Sequence, residues 1–510
     1  MERYGFRFLI ALSILPRLFR LTGPLDEPHS WRQADTANYA LDFYRNGFDF
    51  LHPTVCWNGN QSALILEFPL YEAVVAGFYY LFGEQLLLAR IVTLAFWFGS
   101  AVYLYRLVEL ESDRYVAQWT ALVYSILPLG LFYSRAAHID FSAVFFAHGM
   151  AYHFLAAAHA RSKRQDLILS GCLGTLAFLI KAPYAFCLYL PLLLYAIRKG
   201  VRWTNWPALL APPIVFLIWR SHVNTVNSHA PDLFFIPGYF KFLDLWGWYF
   251  GEIHQRFVGA NWMILWNRFF TEAATPTGML LAFGGLILSL RSSVSSAFLL
   301  LWLIATICYL FLFFPLNVIH NYYQIPFLPV ISLLIARCLQ AIRRMKSVDS
   351  ENMRLVAVYG LVFLLGTQSL LFANRMYYKV DWIRFEAGRI IREKTKAGDL
   401  VIASISDTDP RDPRLLYASR RHGFSIRLDH LSGDLIRKLA AVGATHLTII
   451  LRPQETLETK MPGGYQFKLM RDGSVLGTLL LFPLQPNPQA LERIILSAKD
   501  SLTESQSNRL

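Results

Sequence analysis

The stretch Leu66-Glu67-Phe68-Pro69-Leu70-Tyr71-Glu72-Ala73-Val74-Val75-Ala76-Gly77-Phe78-Tyr79-Tyr80-Leu81-Phe82-Gly83 decides how the rest of this chain is arranged. It is apolar enough to pass for a membrane span. However, it opens on Glu67 and Pro69 and carries Glu72, which suits a helix lying on a membrane surface. If it crossed, everything downstream would be inverted. The basic groups Arg161-Ser162-Lys163-Arg164, Arg198-Lys199 with Arg202, Arg291, and Arg343-Arg344 with Lys346 would then leave the side held by Arg3 and Arg7. With the segment on the surface, all of them face the cytoplasm, as the positive-inside bias requires.

The 510 residues are 55% hydrophobic and 15% aromatic, with a mean hydropathy of +0.36. Apolar runs of spanning length recur, so the chain reads as a polytopic membrane protein. The net charge of +13 resides largely in loops flanking apolar helices, so no nucleic-acid partner is implied. Phe6 to Leu21 contains Arg17 and Arg20 and lacks a small-residue cleavage site, so it reads as a retained first span. Cys172, Cys187, Cys308 and Cys338 fall in apolar helices and only Cys56 in a loop, which implies no disulfide or zinc framework.

Spans are predicted near residues 5–22, 88–106, 114–135, 141–160, 166–181, 183–198, 206–220, 276–290, 294–314, 322–342 and 354–373. The expected fold is an all-α polytopic membrane protein of about eleven transmembrane helices, with juxtamembrane helices near 36–46 and 67–83. A small C-terminal α/β domain outside the cytoplasm completes it. Within that domain, helices are expected over Asp381–Lys396 and Gly433–Val442, and strands over Leu400–Ser404, His446–Leu451 and near 465–482. The expected divisions are a membrane module over 1–220, an outer juxtamembrane segment over 221–275, further transmembrane helices over 276–374, the α/β domain over 375–500 and a disordered tail over 501–510.

Under this orientation the outer face gathers the loop Thr22–Leu66, the turn Arg135–Asp140, Lys181, the aromatic segment Ser221–Thr275 and the turn Asn317–Tyr323. The first loop reads Asp26-Glu27-Pro28-His29-Ser30-Trp31-Arg32-Gln33-Ala34-Asp35, followed by a helical pattern that Gly47 stops. Asp26 and Asp35 are candidate bases; the alternative is that either one caps the helix. Arg32 and Asp35 are spaced for an ion pair. Arg135, His138 and Asp140 share one short turn, where Asp140 is either functional or an N-cap. Lys181 ends an apolar run before Ala182-Pro183 and reads as an anion ligand or as a snorkelling lysine. His320 and Tyr323 open another span, and the tyrosines there also suit an interfacial belt. The run Asp407-Thr408-Asp409 reads as an exposed turn rather than a metal site, given Pro410 and Pro413.

The order of these features resembles the GT-C superfamily of polyprenyl-phosphate-sugar glycosyltransferases, in particular bacterial relatives of protein O-mannosyltransferases and of the lipid A aminoarabinose transferase. The resemblance covers roughly residues 1–375. It rests on the acidic first loop, Phe68-Pro69-Leu70-Tyr71 running to Leu81-Phe82-Gly83, Arg90, Ser134-Arg135 with Asp140, Leu179-Ile180-Lys181-Ala182-Pro183, and Tyr322-Tyr323 with Pro326 and Pro329. Two features depart from the pattern. Asp26-Glu27 lies too far from Gly47 and Asp35 somewhat too close, so the catalytic carboxylate stays open between Asp35 and Asp26. Glu67 stands where the aminoarabinose relatives carry a lysine.

The resemblance implies that the module over 1–220 is catalytic and moves a sugar from a polyprenyl-phosphate donor to an acceptor hydroxyl outside the cytoplasm, by a single inverting displacement. Asp35 or Asp26 would be the base, and Asp140 would orient the sugar or help hold a divalent ion. Arg32, Lys181, Arg135, His138, His320 and Tyr323 would bind donor phosphate or sugar. No cofactor is required by the motifs, and a divalent metal stays open. The acceptor is lipid, glycan or protein, and the expected location is the bacterial inner membrane with the active groups on the periplasmic side. A lipid-linked-sugar transporter or a non-catalytic envelope scaffold is the competing reading, although the two halves show no internal repeat of the kind transporters carry.

Overall fold

The computed structural model describes residues 3–60, 62–161, 164–243, 245–291, 297–345, 350–455 and 464–484. Lys163, Lys346 and the expected tail over 501–510 lie outside them. The chain forms two compact units: one of residues 1–23, 85–222 and 244–378, the other of residues 24–84, 223–243 and 379–510. This grouping cuts across the linear divisions expected above, because the first loop and its helices join the C-terminal region rather than the first spans.

The first unit is helical. Among the described residues, five helices are long and apolar enough to cross a membrane: Leu86–Glu111, Asp140–His159, Arg164–Lys199, Asn321–Arg343 and Glu351–Met376. Gly259–Ala273 and Pro276–Arg291, bent by 100°, make a sixth if counted as one broken span. Of the remaining expected spans, 206–220 lies in the 22-residue helix Pro207–Ser228, and the others are helical but short or interrupted. Arg114–Ile126 ends before Pro128, which starts a separate turn Pro128–Tyr133, and Ala297–Leu312 has 16 residues. The 36-residue stretch Arg164–Lys199 holds two of the expected spans, divided at Lys181, whose backbone (φ −157°, ψ 82°) is not helical. Pro183 lacks the N–H that would reach back to Leu179, and its ring crowds that carbonyl, so the break falls where the sequence placed it.

In the second unit, the deciding stretch becomes the helix Leu70–Phe82. Its 13 residues rise about 20 Å, short of the roughly 30 Å of a hydrocarbon core. Glu72, Val75, Ala76 and Tyr79 are buried at helical spacing, and this helix packs against the helix Ser30–Asn46. Gly47, at φ 93°, ends the latter helix, its N–H donating to Phe43 O at 3.1 Å.

The strands of this unit are β1 (Asp26–Glu27), β2 (Asn58–Gly59), β3 (Lys379–Val380), β4 (Leu400–Ile405), β5 (His422–Arg427), β6 (His446–Leu451), β7 (Tyr465–Arg471) and β8 (Ser474–Pro483). β1 pairs with β3, and the rest form one sheet in the order β2-β5-β4-β6-β8-β7. β4 runs parallel to β5 and β6, and β2 is antiparallel to β5. Side chains alternate along β4. Ile402 enters one core with Phe424, Leu447 and Ile449, whereas Val401, Ala403 and Ile405 enter another with Tyr39, Trp57, Ala387 and Leu416. The first loop therefore belongs to the sheet domain through both a strand and a core.

Candidate active site

The helix Ser30–Asn46 begins more than a turn before Asp35, so Asp35 does not cap it. Asp26 does not either: it lies buried in β1, its carbonyl accepting from Gln33 Nε2 at 2.6 Å. The capping expected of these two falls to Glu27, whose carboxylate accepts the Ser30 backbone N–H at 3.1 Å and also the Ser30 hydroxyl. Arg414 in turn reaches Glu27 at 3.8 Å and makes a short pair with Asp412 at 2.7 Å.

Asp35 is only 6% exposed. Trp57 Nε1 donates to its Oδ1 at 3.0 Å. Burial pushes the carboxyl up to about 7, while the Arg32 guanidinium and the Trp57 bond pull it the other way. The result is a carboxylate that exchanges its proton near neutrality, which suits a general base. Arg32 forms an ion pair with Glu67, so the acidic residue standing in the lysine position of the aminoarabinose relatives neutralises a charge expected for phosphate. Glu72 is also buried, and burial raises its carboxyl to about 8.

In the helical unit, Asp140 is the first residue of its helix and not the N-cap, which is Ile139. Its carboxylate is fully buried between an ammonium and an imidazole. Lys181 Nζ donates to Oδ1 at 2.5 Å, and His138 Nδ1 lies 3.0 Å from Oδ2. The break at Lys181 brings its ammonium over three rings, those of Tyr184, Tyr322 and Tyr323, at 4.4, 4.6 and 4.5 Å. This is a cation–π enclosure around an ammonium that also holds a carboxylate. His320 stacks on Tyr322 with centroids 4.9 Å apart, and His138 packs on the same ring at 4.9 Å. Arg135 is buried with its guanidinium over Tyr378 at 4.8 Å.

Of the predicted residues, the helical unit thus gathers Asp140, His138, Lys181, His320 and Tyr323 around Tyr322, and the sheet unit holds Asp35, Arg32 and Asp26. Sequence reading did not single out Trp57 or Tyr184 as site residues. A large aromatic in a mostly polar loop is a signal for Trp57, and the helical spacing Lys181 to Tyr184 is one for the other. Among the described residues, no group of three or more His, Cys, Asp or Glu is placed to hold a metal ion.

Comparison with known proteins supplies the fold class. Residues 67–223, less than half of the chain, match the family described as dolichyl-phosphate-mannose-protein mannosyltransferase. No curated protein matches the chain in sequence. Among solved structures, ArnT from Cupriavidus metallidurans bound to undecaprenyl phosphate superimposes with a TM-score of 0.58 at 14% identity, over 95% of this chain and 100% of that one. Archaeal oligosaccharyltransferase AglB from Archaeoglobus fulgidus, in complex with an inhibitory peptide and a dolichol-phosphate, gives 0.57 at 12%, over 88% and 69%. Arabinofuranosyltransferase AftD from Mycobacteria gives 0.59 at 14%, over 96% and 40%. The motif order quoted above is thus matched by the fold: a membrane protein of GT-C architecture with a small C-terminal sheet domain.

Proposed function

From this GT-C architecture we propose that the chain is a membrane glycosyltransferase that moves a sugar from a polyprenyl-phosphate donor to an acceptor hydroxyl on the periplasmic side of a bacterial inner membrane. The acceptor oxygen attacks the anomeric carbon as Asp35 takes its proton. The bond from that carbon to the phosphate oxygen breaks, the electron pair leaves with the polyprenyl phosphate, and the configuration inverts. One base is enough, because the leaving group is good. Lys181 is assigned to the departing phosphate, with His138, His320 and Tyr323 beside it. Asp140 holds Lys181 in place until the phosphate competes for it, and orients the sugar.

The observation that carries the base assignment is the Trp57–Asp35 hydrogen bond at 3.0 Å on a carboxyl raised to about 7. Asp26, the other candidate, lies within a strand. Arg32, paired with Glu67, acts on Asp35 electrostatically rather than on phosphate. The test is transfer from a polyprenyl-phosphate sugar by purified protein: Asp35→Asn should abolish turnover while Asp26→Asn retains it. Near-normal turnover by Asp35→Asn would overturn the assignment.

A further inference from the structure

Asp35 lies beside a circuit of aromatic and guanidinium contacts within the sheet unit that starts at Trp57. Trp57, hydrogen-bonded to Asp35, lies with its ring 6.0 Å from Phe242. Phe242 lies 5.2 Å from Phe240. The Arg411 guanidinium stands over Phe240 at 4.3 Å and over Trp31 at 5.8 Å. Trp31 is one helical turn before Asp35, on the same helix face. Burial grades around this circuit: Trp57 and Asp35 are buried, Trp31, Phe242 and Arg411 are half-buried, and Phe240 is exposed. The circuit therefore runs from buried groups beside the Asp35 carboxyl to an aromatic rim that is exposed at Phe240.

We infer that this rim is the acceptor subsite and that it binds the face of a neutral sugar ring. The inference deepens the reading above and rests on it for calling the occupant the acceptor. Aromatic faces suit the C–H face of a pyranose or furanose, whose hydroxyl edge then points toward the carboxylate. The charges of the circuit argue against a phosphorylated group. Arg411 donates to both carboxylate oxygens of Asp409, at 2.8 and 3.0 Å, and Arg32 is paired with Glu67. With both guanidiniums neutralised by carboxylates, a phosphate here would meet a site without net positive charge.

The test uses full-length protein in phosphatidylcholine nanodiscs and saturation-transfer NMR. The probes are the methyl glycosides of glucose, galactose and mannose, with glucose 1-phosphate for comparison. At least one methyl glycoside should receive saturation at its ring C–H protons, and glucose 1-phosphate should receive less. Phe240→Ala and Trp31→Leu should each reduce the signal at least fivefold, Phe240→Tyr should restore it, and Tyr465→Ala, an exposed aromatic on β7, should leave it unchanged. Silence from all three glycosides, stronger saturation of glucose 1-phosphate, or a signal that survives both Phe240→Ala and Trp31→Leu would overturn the inference. Because the readout needs no donor, glycoside binding without any sugar transfer would sink the proposed reaction and leave the subsite standing. Transfer without glycoside binding would do the reverse.

Discussion

If Asp35 is the base, the rate of transfer must follow its ionisation. With the carboxyl at about 7, the ionised fraction is about 9% at pH 6 and about 91% at pH 8, so kcat/KM should rise about tenfold across that interval. The proposed donor is a phosphodiester, whose remaining proton is lost far below this range, so the limb belongs to the enzyme. Two changes locate it. Asp35→Asn keeps an oxygen to accept the Trp57 N–H, yet should lower turnover by about 10²–10⁴ and leave the residual rate flat from pH 6 to 8. Glu72→Gln removes a neighbouring carboxyl raised to about 8 and should keep the limb. Stability should move in the opposite sense. The folded-state value lies above the ordinary 3.8, so the stabilising contribution is complete below about pH 4 and is lost as pH rises through about 7. The ceiling on that loss is about 4 kcal/mol. Asp35→Asn should therefore melt higher than the native protein at pH 8 and show no advantage at pH 4. A flat native profile between pH 6 and 8, or a limb that survives in Asp35→Asn, refutes the reasoning.

Other outcomes follow from the same geometry. Trp57→Phe removes a bond that favours the ionised carboxylate, so the limb in kcat/KM should move to higher pH; a shift downward would mean the bond does not act on the base. Lys181→Met leaves Asp140 buried beside His138 without its strongest partner and should cost about 3–5 kcal/mol, whereas adding Asp140→Asn should recover most of that stability and no transfer activity, as read by melting in detergent and by donor turnover. Glu27→Ala removes the acceptor at the start of the Ser30–Asn46 helix and should cost about 1 kcal/mol, with a fall in kcat larger than the change in donor KM.

Local signals account for what the sequence revealed. The apolar runs of β4 and β6 and the helix over Trp382–Lys394 are written in contiguous residues, as is the break at Lys181, where Pro183 removes a donor. Asp381, expected as the first residue of that helix, caps it by accepting the Arg384 N–H at 3.2 Å. What stayed hidden depends on distant pairing. β2 has two residues and no periodicity, and it becomes a strand only because Asn58 and Gly59 meet Phe424 and Gly423. β5 mixes His422, Gly423 and Ser425 with its apolar residues, so its place in the sheet depends on pairing with β4 and β2. The Glu27 cap lies just outside the helix it serves, beyond the position where a capping residue is sought, and the Trp57–Asp35 bond spans a separation that no helical or strand repeat encodes.

The grouping of segments 24–84 and 223–243 with the sheet has a chemical consequence. A carboxyl whose proton affinity depends on burial must be held where water is kept out, and a loop alone does not provide that. Here the segment whose helix carries Asp35 is fixed at three places by the sheet domain: β1 against β3, β2 against β5, and Trp57 in the core shared with β4. The Arg414 contact with Glu27 adds a fourth, at the cap of the helix that bears Asp35. The domain is therefore part of the reason that a carboxyl can sit near 7, and changes within it should reach the pH profile. Leu416→Ala, in the same core as Trp57, opens a cavity worth about 2–5 kcal/mol. By loosening the core that holds Trp57 it should move the limb toward lower pH, with no change in the residues that touch the carboxylate. A limb that stays at about 7 in a folded Leu416→Ala protein would mean that burial by this domain does not set the base.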